Sequence, residues 1–281
     1  MNRIDISIII TTKNEERHIG DCLRSIKGQR YPQERIEIIV VDNNSTDNTK
    51  EIASRFNARV YNKGPERSVQ RNFGISKSRG RYILYLDADM ILSKDVISEC
   101  YQKCEKEGLI ALYIPERIIG QGFWTMVRDF ERSFYNATCI DAVRFVRKEA
   151  AVSINGFDES LNGPEDWDFD RRIKDIGQVG IIKSPLYHNE VPFKFGRYFS
   201  KKIYYSKNFE QYIQKWGSPD AITRRQLGFY YRLFGVFIEI HKWKKLLRHP
   251  LLTFGMYFLR ILIGFNYLIY GMKTHRDNAH G

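Results

Sequence analysis

Two carboxylates one residue apart, Asp87 and Asp89, stand at the end of Arg81–Leu86, a run of apolar and aromatic residues. Such a run reads as a buried strand. A carboxylate pair at a strand end suits a hard divalent cation, which takes oxygen ligands and shares them with phosphate groups. Alone, an Asp-x-Asp triplet is a weak signal, because short acidic triplets also lie on solvated loops. A second acidic group, Glu165-Asp166, opens a helical pattern behind Gly163-Pro164. Acids at a helix start favour the helix dipole. Asp168 and Asp170 fit that simpler role, paired with Arg171, Arg172 or Lys174.

The elements that must position these groups alternate through the first 115 residues. Ile6–Ile10 reads as a strand, Glu16–Lys27 as a helix with Asn14 as N-cap and Gly28 as stop. Ile36–Val41 is a β-branched run typical of a strand buried on both faces. Ser45 or Thr46 can cap a helix over Asp47–Phe56, and Ala58–Tyr61 is a short strand. Pro65 opens a helix carrying Arg67 to Ser78; Asp95–Glu107 is a helix and Leu109–Ile114 a strand. Further on, Ala142–Arg147 and Val179–Lys183 read as strands and Glu165–Ile176 as a helix. This order predicts an α/β fold, a mostly parallel sheet with helices on both faces. Ligands of such sheets sit beyond the carboxyl ends of the strands. Thr11–Glu15, Asp42–Asp47 and Asp87–Asp89 all follow strands, so they converge on one edge.

Charge divides the 281 residues sharply. Residues 1–190 hold 29 Lys and Arg against 29 Asp and Glu, whereas residues 191–281 hold 16 against 4 and carry the whole net charge of +12. The basic surplus marks a C-terminal module with a polyanionic partner. Hydrophobic content of 43% excludes a disordered chain. Cys22, Cys100, Cys104 and Cys139 form no C-x-x-C pair, so packed free thiols in a reducing compartment are expected rather than structural zinc or disulfides. The apolar run Ile6–Ile10 is too short for a signal peptide and is soon followed by Lys13, Glu15, Glu16 and Arg17, so the body is expected in the cytosol.

Four ordered motifs carry a resemblance: Ser7–Glu16, Ile39–Thr49 (IVVDNNSTDNT), Arg71-Asn72-Phe73-Gly74 and Asp87-Ala88-Asp89. Together they resemble family 2 glycosyltransferases over about residues 5–190. The resemblance implies a GT-A fold and sugar transfer from a UDP- or GDP-linked donor, with Mg²⁺ or Mn²⁺ as cofactor. It implies that Thr11, Thr12, Glu15, Asp42 and Ser45 line the base and ribose, that Arg71 meets the diphosphate or base, and that Asp87 faces the ribose or the metal. Asp89 is the implied metal ligand, and His188 a third. Glu165-Asp166 resembles the pair that holds the base of inverting members, which implies Asp166 as the first choice for a general base and Glu165 as the second. Domains are expected at 1–190, catalytic, and at 191–281, helical and membrane-associating.

The C-terminal region sets the expected surroundings. Pro250–Met272 is long enough to span a bilayer, but Arg260 sits at its middle. The segment reads equally as an amphipathic helix in the membrane plane, preceded by the basic cluster His241–His249 with Trp243. Anionic lipid is therefore favoured over nucleic acid as the partner. A peripheral or single-pass enzyme at the cytoplasmic face of the cell membrane follows, acting on a lipid-linked or glycan acceptor. A helix with Phe123, Val127, Phe130 and Phe134 on one face adds a further apolar contact. Two rivals are a sugar nucleotidyltransferase, which wants a Gly-rich basic loop where Lys13-Asn14-Glu15 stands, and a non-catalytic lipid- or nucleic-acid-binding protein on an α/β scaffold.

Overall fold

The computed structural model describes residues 3–189, 195–196, 200 and 209–277, and side chains of the last helix as far as residue 264. It divides into two compact units, one of residues 1–117 and 136–189, the other of 118–135 and 190–281. The segment 118–135, read from sequence with the first region, groups with the second.

Among the described residues, the first unit is built on a seven-stranded sheet. Its strands are β1 (Ile6–Thr12), β2 (Ile36–Asp42), β3 (Arg59–Asn62), β4 (Tyr82–Asp87), β6 (Ala111–Tyr113), β8 (Phe145–Arg147) and β9 (Val179–Ile181). Their order is β3-β2-β1-β4-β8-β6-β9. The first four run parallel, while β8 is antiparallel to both β4 and β6. Three short strands, β5 (Met90–Leu92), β7 (Glu116–Ile119) and β10 (Leu186–Asn189), form a second sheet of order β5-β10-β7. The motif reading missed all three, because three or four residues are too few to show a period.

Strand side chains alternate between faces. Ile6, Ile8, Ile10, Val40, Leu84 and Leu86 pack on one face against α1 (Ile19–Lys27) and α4 (Val96–Glu107). Ile9, Ile39, Val41, Ile83 and Tyr85 pack on the other, with Ile75 of α3 (Arg67–Lys77) and Phe169 and Ile173 of α7 (Glu165–Ile176). Gly74 lets α3 lie close, since a Cβ there would meet Ile9 Cγ2 at 2.4 Å. Cys22, Cys100 and Cys104 are buried in the first core and all four cysteines are free. Burial pushes the Cys104 thiol up to about 12.

Two helix starts differ from expectation. Asn14 does not cap α1, which begins at Ile19. Its backbone is left-handed (φ 54) and its Oδ1 accepts from Thr46 N at 2.9 Å. Ser45 and Thr46 do not cap α2 (Thr49–Arg55) either. Asp47 Oδ1 does so, accepting from Thr49 N at 3.0 Å. Both departures arise because the two loops bond to each other instead of to their own helices.

In the second unit, α5 (Phe123–Arg132) buries Val127 and Phe130, with Phe134 just beyond it, but leaves Phe123 exposed. Among the described residues no helix is long and apolar enough to cross a membrane. The choice between a spanning and an in-plane helix at Pro250–Met272 runs past residue 264 and so lies outside the residues whose side chains are described. Arg260 of the helix Pro250–Asp277 donates to Tyr135 Oη at 2.8 Å, lies 3.5 Å from Glu131 and stands over the Phe237 ring.

At the amino ends of the strands, Glu37 gathers the sheet. It accepts from Ser7 Oγ at 2.6 Å, Arg79 Nε at 2.8 Å and Arg59 Nη1 at 3.0 Å. Burial pushes the carboxyl up, but bonds from Ser7 and Arg79 outweigh it and hold its pKa below the usual value. A lowered folded pKa stabilises above the unfolded value and is lost on acidification. Glu37→Gln should therefore destabilise the chain by about 2 kcal/mol at neutral pH. In urea titrations the gap to the parent should stay full above about pH 4.3 and close as pH falls through the lower folded value.

Candidate active site

Strand register builds the site. Thr11 pairs with Asp87 across β1 and β4, and Thr12 with Asp42 across β1 and β2. Three of the polar clusters read from sequence therefore stand side by side at the carboxyl edge. Thr11 Oγ1 donates to Asp87 Oδ1 at 3.1 Å. The Thr12 hydroxyl is buried with no hydrogen-bond partner among the described residues. Gln70 of α3, which the motif reading passed over, ties the edge together by donating to Thr12 O at 3.1 Å and Val41 O at 2.6 Å.

Asp42 is fully buried and takes the Ser45 N–H at 2.7 Å and the Ser45 hydroxyl at 2.5 Å. Ser45 in turn accepts from Asn14 N at 2.7 Å. The carboxylate is thus held rigidly by the turn it begins. The Glu15 side chain meets His18 Nδ1 at 2.8 Å, and its N–H bonds Thr49 Oγ1 at 2.8 Å.

The Asp-x-Asp carboxylates point to different partners. Asp87 lies 3.3 Å from Arg71 and 3.7 Å from Arg67. Burial alone would raise its pKa; Arg71, Arg67 and Arg144 reverse that and hold it well below the carboxylate range. Asp89 meets His188 Nε2 at 2.8 Å, because His188 pairs with Met90 across β10 and β5. His188 Nδ1 lies 3.3 Å from Glu116, which also takes Arg144 at 3.3 Å. Burial pulls the imidazole down, but Asp89 and Glu116 push it up to about 10. Arg144 and Glu116 were not singled out from sequence. A lone arginine inside the apolar run Val143–Val146 was the available signal.

Glu165 and Asp166 arrive on the first turn of α7. Glu165 is buried, takes the Gly163 N–H and meets Arg67 at 2.9 Å. Burial first, then the neighbouring Asp166, raise its pKa against the opposing pull of Arg67. Asp166 is partly exposed and accepts from Arg71 Nη1 at 2.5 Å. Asp168 pairs with Arg172 at 2.8 Å and Asp170 with Lys174 at 3.1 Å, as structural partners. Arg71 itself is 0% exposed, behind Asp87 and Asp166 and not at a solvent-facing wall.

Asp89 and His188 bond each other, and the pair could hold a Mn²⁺-like cation only with the imidazole proton displaced by the metal. Among the described residues no three His, Cys, Asp or Glu are grouped to hold a metal ion. Two protein ligands would leave positions for diphosphate oxygens.

Comparison with known proteins identifies the family and the fold. The sequence pattern of glycosyl transferase family 2 matches residues 7–157. The glycosyltransferase GlyG of Streptococcus pneumoniae is 28% identical over 235 residues, 76% of this chain and 72% of its own length. Among solved structures, S. aureus TarS 1–349 in complex with UDP-GlcNAc superposes with a TM-score of 0.59 at 17% identity, covering 86% of this chain and 78% of that one. A Pyrobaculum calidifontis mannosyltransferase in complex with GDP-Man and Mn²⁺ superposes with a TM-score of 0.58 at 18% identity, covering 93% and 74%. These structural likenesses show the α/β fold.

The unpartnered Thr12 hydroxyl generates a test. Thr12→Val removes no hydrogen bond, so folding stability should change by less than about 1 kcal/mol. Affinity for UDP or GDP, read by calorimetry, should fall about tenfold. A valine variant that binds both nucleotides as tightly as the parent would remove Thr12 from the nucleotide site.

Proposed function

The chain belongs to glycosyl transferase family 2, and from that premise we propose that it is an inverting transferase working at the cytoplasmic face of a membrane. It is a nucleotide-sugar transferase by family, which sets aside the nucleotidyltransferase and non-catalytic readings. The donor is a UDP- or GDP-linked sugar, and the acceptor a hydroxyl or phosphate on a lipid-linked or glycan molecule. The first unit is the catalytic domain and the second the membrane-associating one.

One observation carries the reading. Asp166, a half-buried carboxylate, stands one guanidinium away from Asp87 at the end of β4. Asp42, Ser45, Thr11, Thr12 and Glu15 flank the nucleotide, and Asp87 faces the ribose. The acceptor oxygen attacks the anomeric carbon opposite the leaving diphosphate. The new C–O bond forms as the bond to the diphosphate breaks, and the acceptor proton passes to Asp166. Asp89 and His188 would hold Mg²⁺ or Mn²⁺, which supplies positive charge to the leaving group.

Asp166→Asn should lower kcat about 10²–10⁴-fold with nucleotide affinity nearly kept. Normal turnover in Asp166→Asn with none in Glu165→Gln would transfer the base role to Glu165. In the same preparations, Mn²⁺ should raise the thermal stability conferred by UDP or GDP on the parent but not on Asp89→Ala.

The membrane part rests on the second unit's surface. Leu251, Phe254, Phe258 and Ile261 share the outer face of the helix Pro250–Asp277, two of them 75% exposed. Trp243 and Leu247 are exposed beside Lys244 and Arg248. Apolar and basic side chains in this combination suit an anionic headgroup layer. Full-length protein should co-sediment with anionic vesicles at low salt, and Leu251→Glu with Phe254→Glu should reduce the bound fraction at least tenfold. Equal recovery of both proteins in the supernatant would refute the membrane role.

A further inference from the structure

Arg71 is among the largest fully buried side chains of the described residues. Its guanidinium carbon lies 4.7 Å from the ring centre of Tyr85 and 5.1 Å from that of Phe157. Nη1 reaches Asp166 at 2.5 Å and Nη2 reaches Asp87 at 3.3 Å. The crevice around it, lined by Ile9, Ile75, Ile83, Val146 and Phe169 among others, has no room for a water molecule. A guanidinium so enclosed can neither swing out to a ligand nor be replaced by solvent. One turn earlier on α3, Arg67 is about one-third exposed and bridges a second pair, Asp87 and Glu165.

We infer that Arg71 is a positioning residue, which fixes the Asp166 carboxylate relative to Asp87 and so sets the distance between the donor site and the proton acceptor. It does not bind the donor. A planar fork can bridge two carboxylates while lying against aromatic rings, whereas a lysine ammonium is a point charge and can serve only one of them well. Stacking on Tyr85 and Phe157 keeps the fork in one plane, so Asp166 cannot rotate away without losing its partner. The inference rests on Asp166 as the base.

The test is a double-variant cycle on the full chain. Turnover is read as nucleotide diphosphate released from whichever of UDP-GlcNAc and GDP-mannose is accepted, and binding as calorimetry with UDP and GDP. Arg71→Lys should lower kcat about 10- to 100-fold, leave nucleotide affinity within about twofold, and cost nothing further in an Asp166→Asn background. Should Arg71→Lys not fold, Phe157→Leu, which loosens the guanidinium while keeping it, should give the same pattern. Loss of nucleotide affinity with kcat kept would make Arg71 a donor ligand and overturn the inference. Losses that multiply in the double variant would overturn it also, with the base reading intact. An Asp166→Asn enzyme at full speed would sink the base reading, and the inference with it.

Discussion

Four carboxylates, Asp87, Asp89, Glu165 and Asp166, are brought to one region, and the dominant constraint on this site is their neutralisation. Carboxylates in partly desolvated positions repel one another and demand partners. Arg67 and Arg71, one turn apart on α3, meet that demand by standing between the β4 acids and the α7 acids. Asp89 is served separately by His188. Removing either side of a buried pair leaves the other charge stranded, so these groups are held together as a set.

Sheet register is what makes this set possible. Parallel pairing of β1 with β2 and β4 aligns Thr12 with Asp42 and Thr11 with Asp87. A slip of one residue would turn every side chain to the other face. The alternating isoleucines of β1, buried on both faces, hold that register. Gly74 then permits the close approach of α3 that places Gln70 and Arg71 beneath the edge. At the opposite end Glu37 holds β1, β2 and the Arg79–Gly80 turn, so both ends of the sheet are tied by polar contacts.

The second unit follows the reverse pattern of burial. Its long helix turns a charge inward, Arg260 against Tyr135, Glu131 and Phe237, and large apolar residues outward. Arg128 and Glu131 form a further buried pair on α5. A surface with this many exposed aromatic and aliphatic groups is unusual for a protein facing only water. Together with the basic surplus of residues 191–281, it is the ground of the proposed membrane association.

Much of this was legible in the residue order, because it rests on local rules. Strand runs such as Ile36–Val41, the acidic pair behind Tyr82–Leu86 and the acid-rich start of α7 are encoded by neighbours a few positions apart. The family resemblance was carried by the same short segments. What only the tertiary structure decided is which charge meets which. The resemblance implied that Arg71 meets the diphosphate or base, yet its burial is decided by aromatic rings from β4 and from a turn 86 residues away at Phe157. Asn14 read as a helix cap, yet its partner is Thr46 on another loop. His188 and Asp89 meet only because two short strands, too brief to leave a period in the sequence, pair antiparallel. Glu116, on the short strand β7, escaped notice for the same reason. A sequence records the preferences of each segment, whereas long-range pairing of charges depends on how distant segments pack, and burial then fixes the choice by making every unpaired alternative costly.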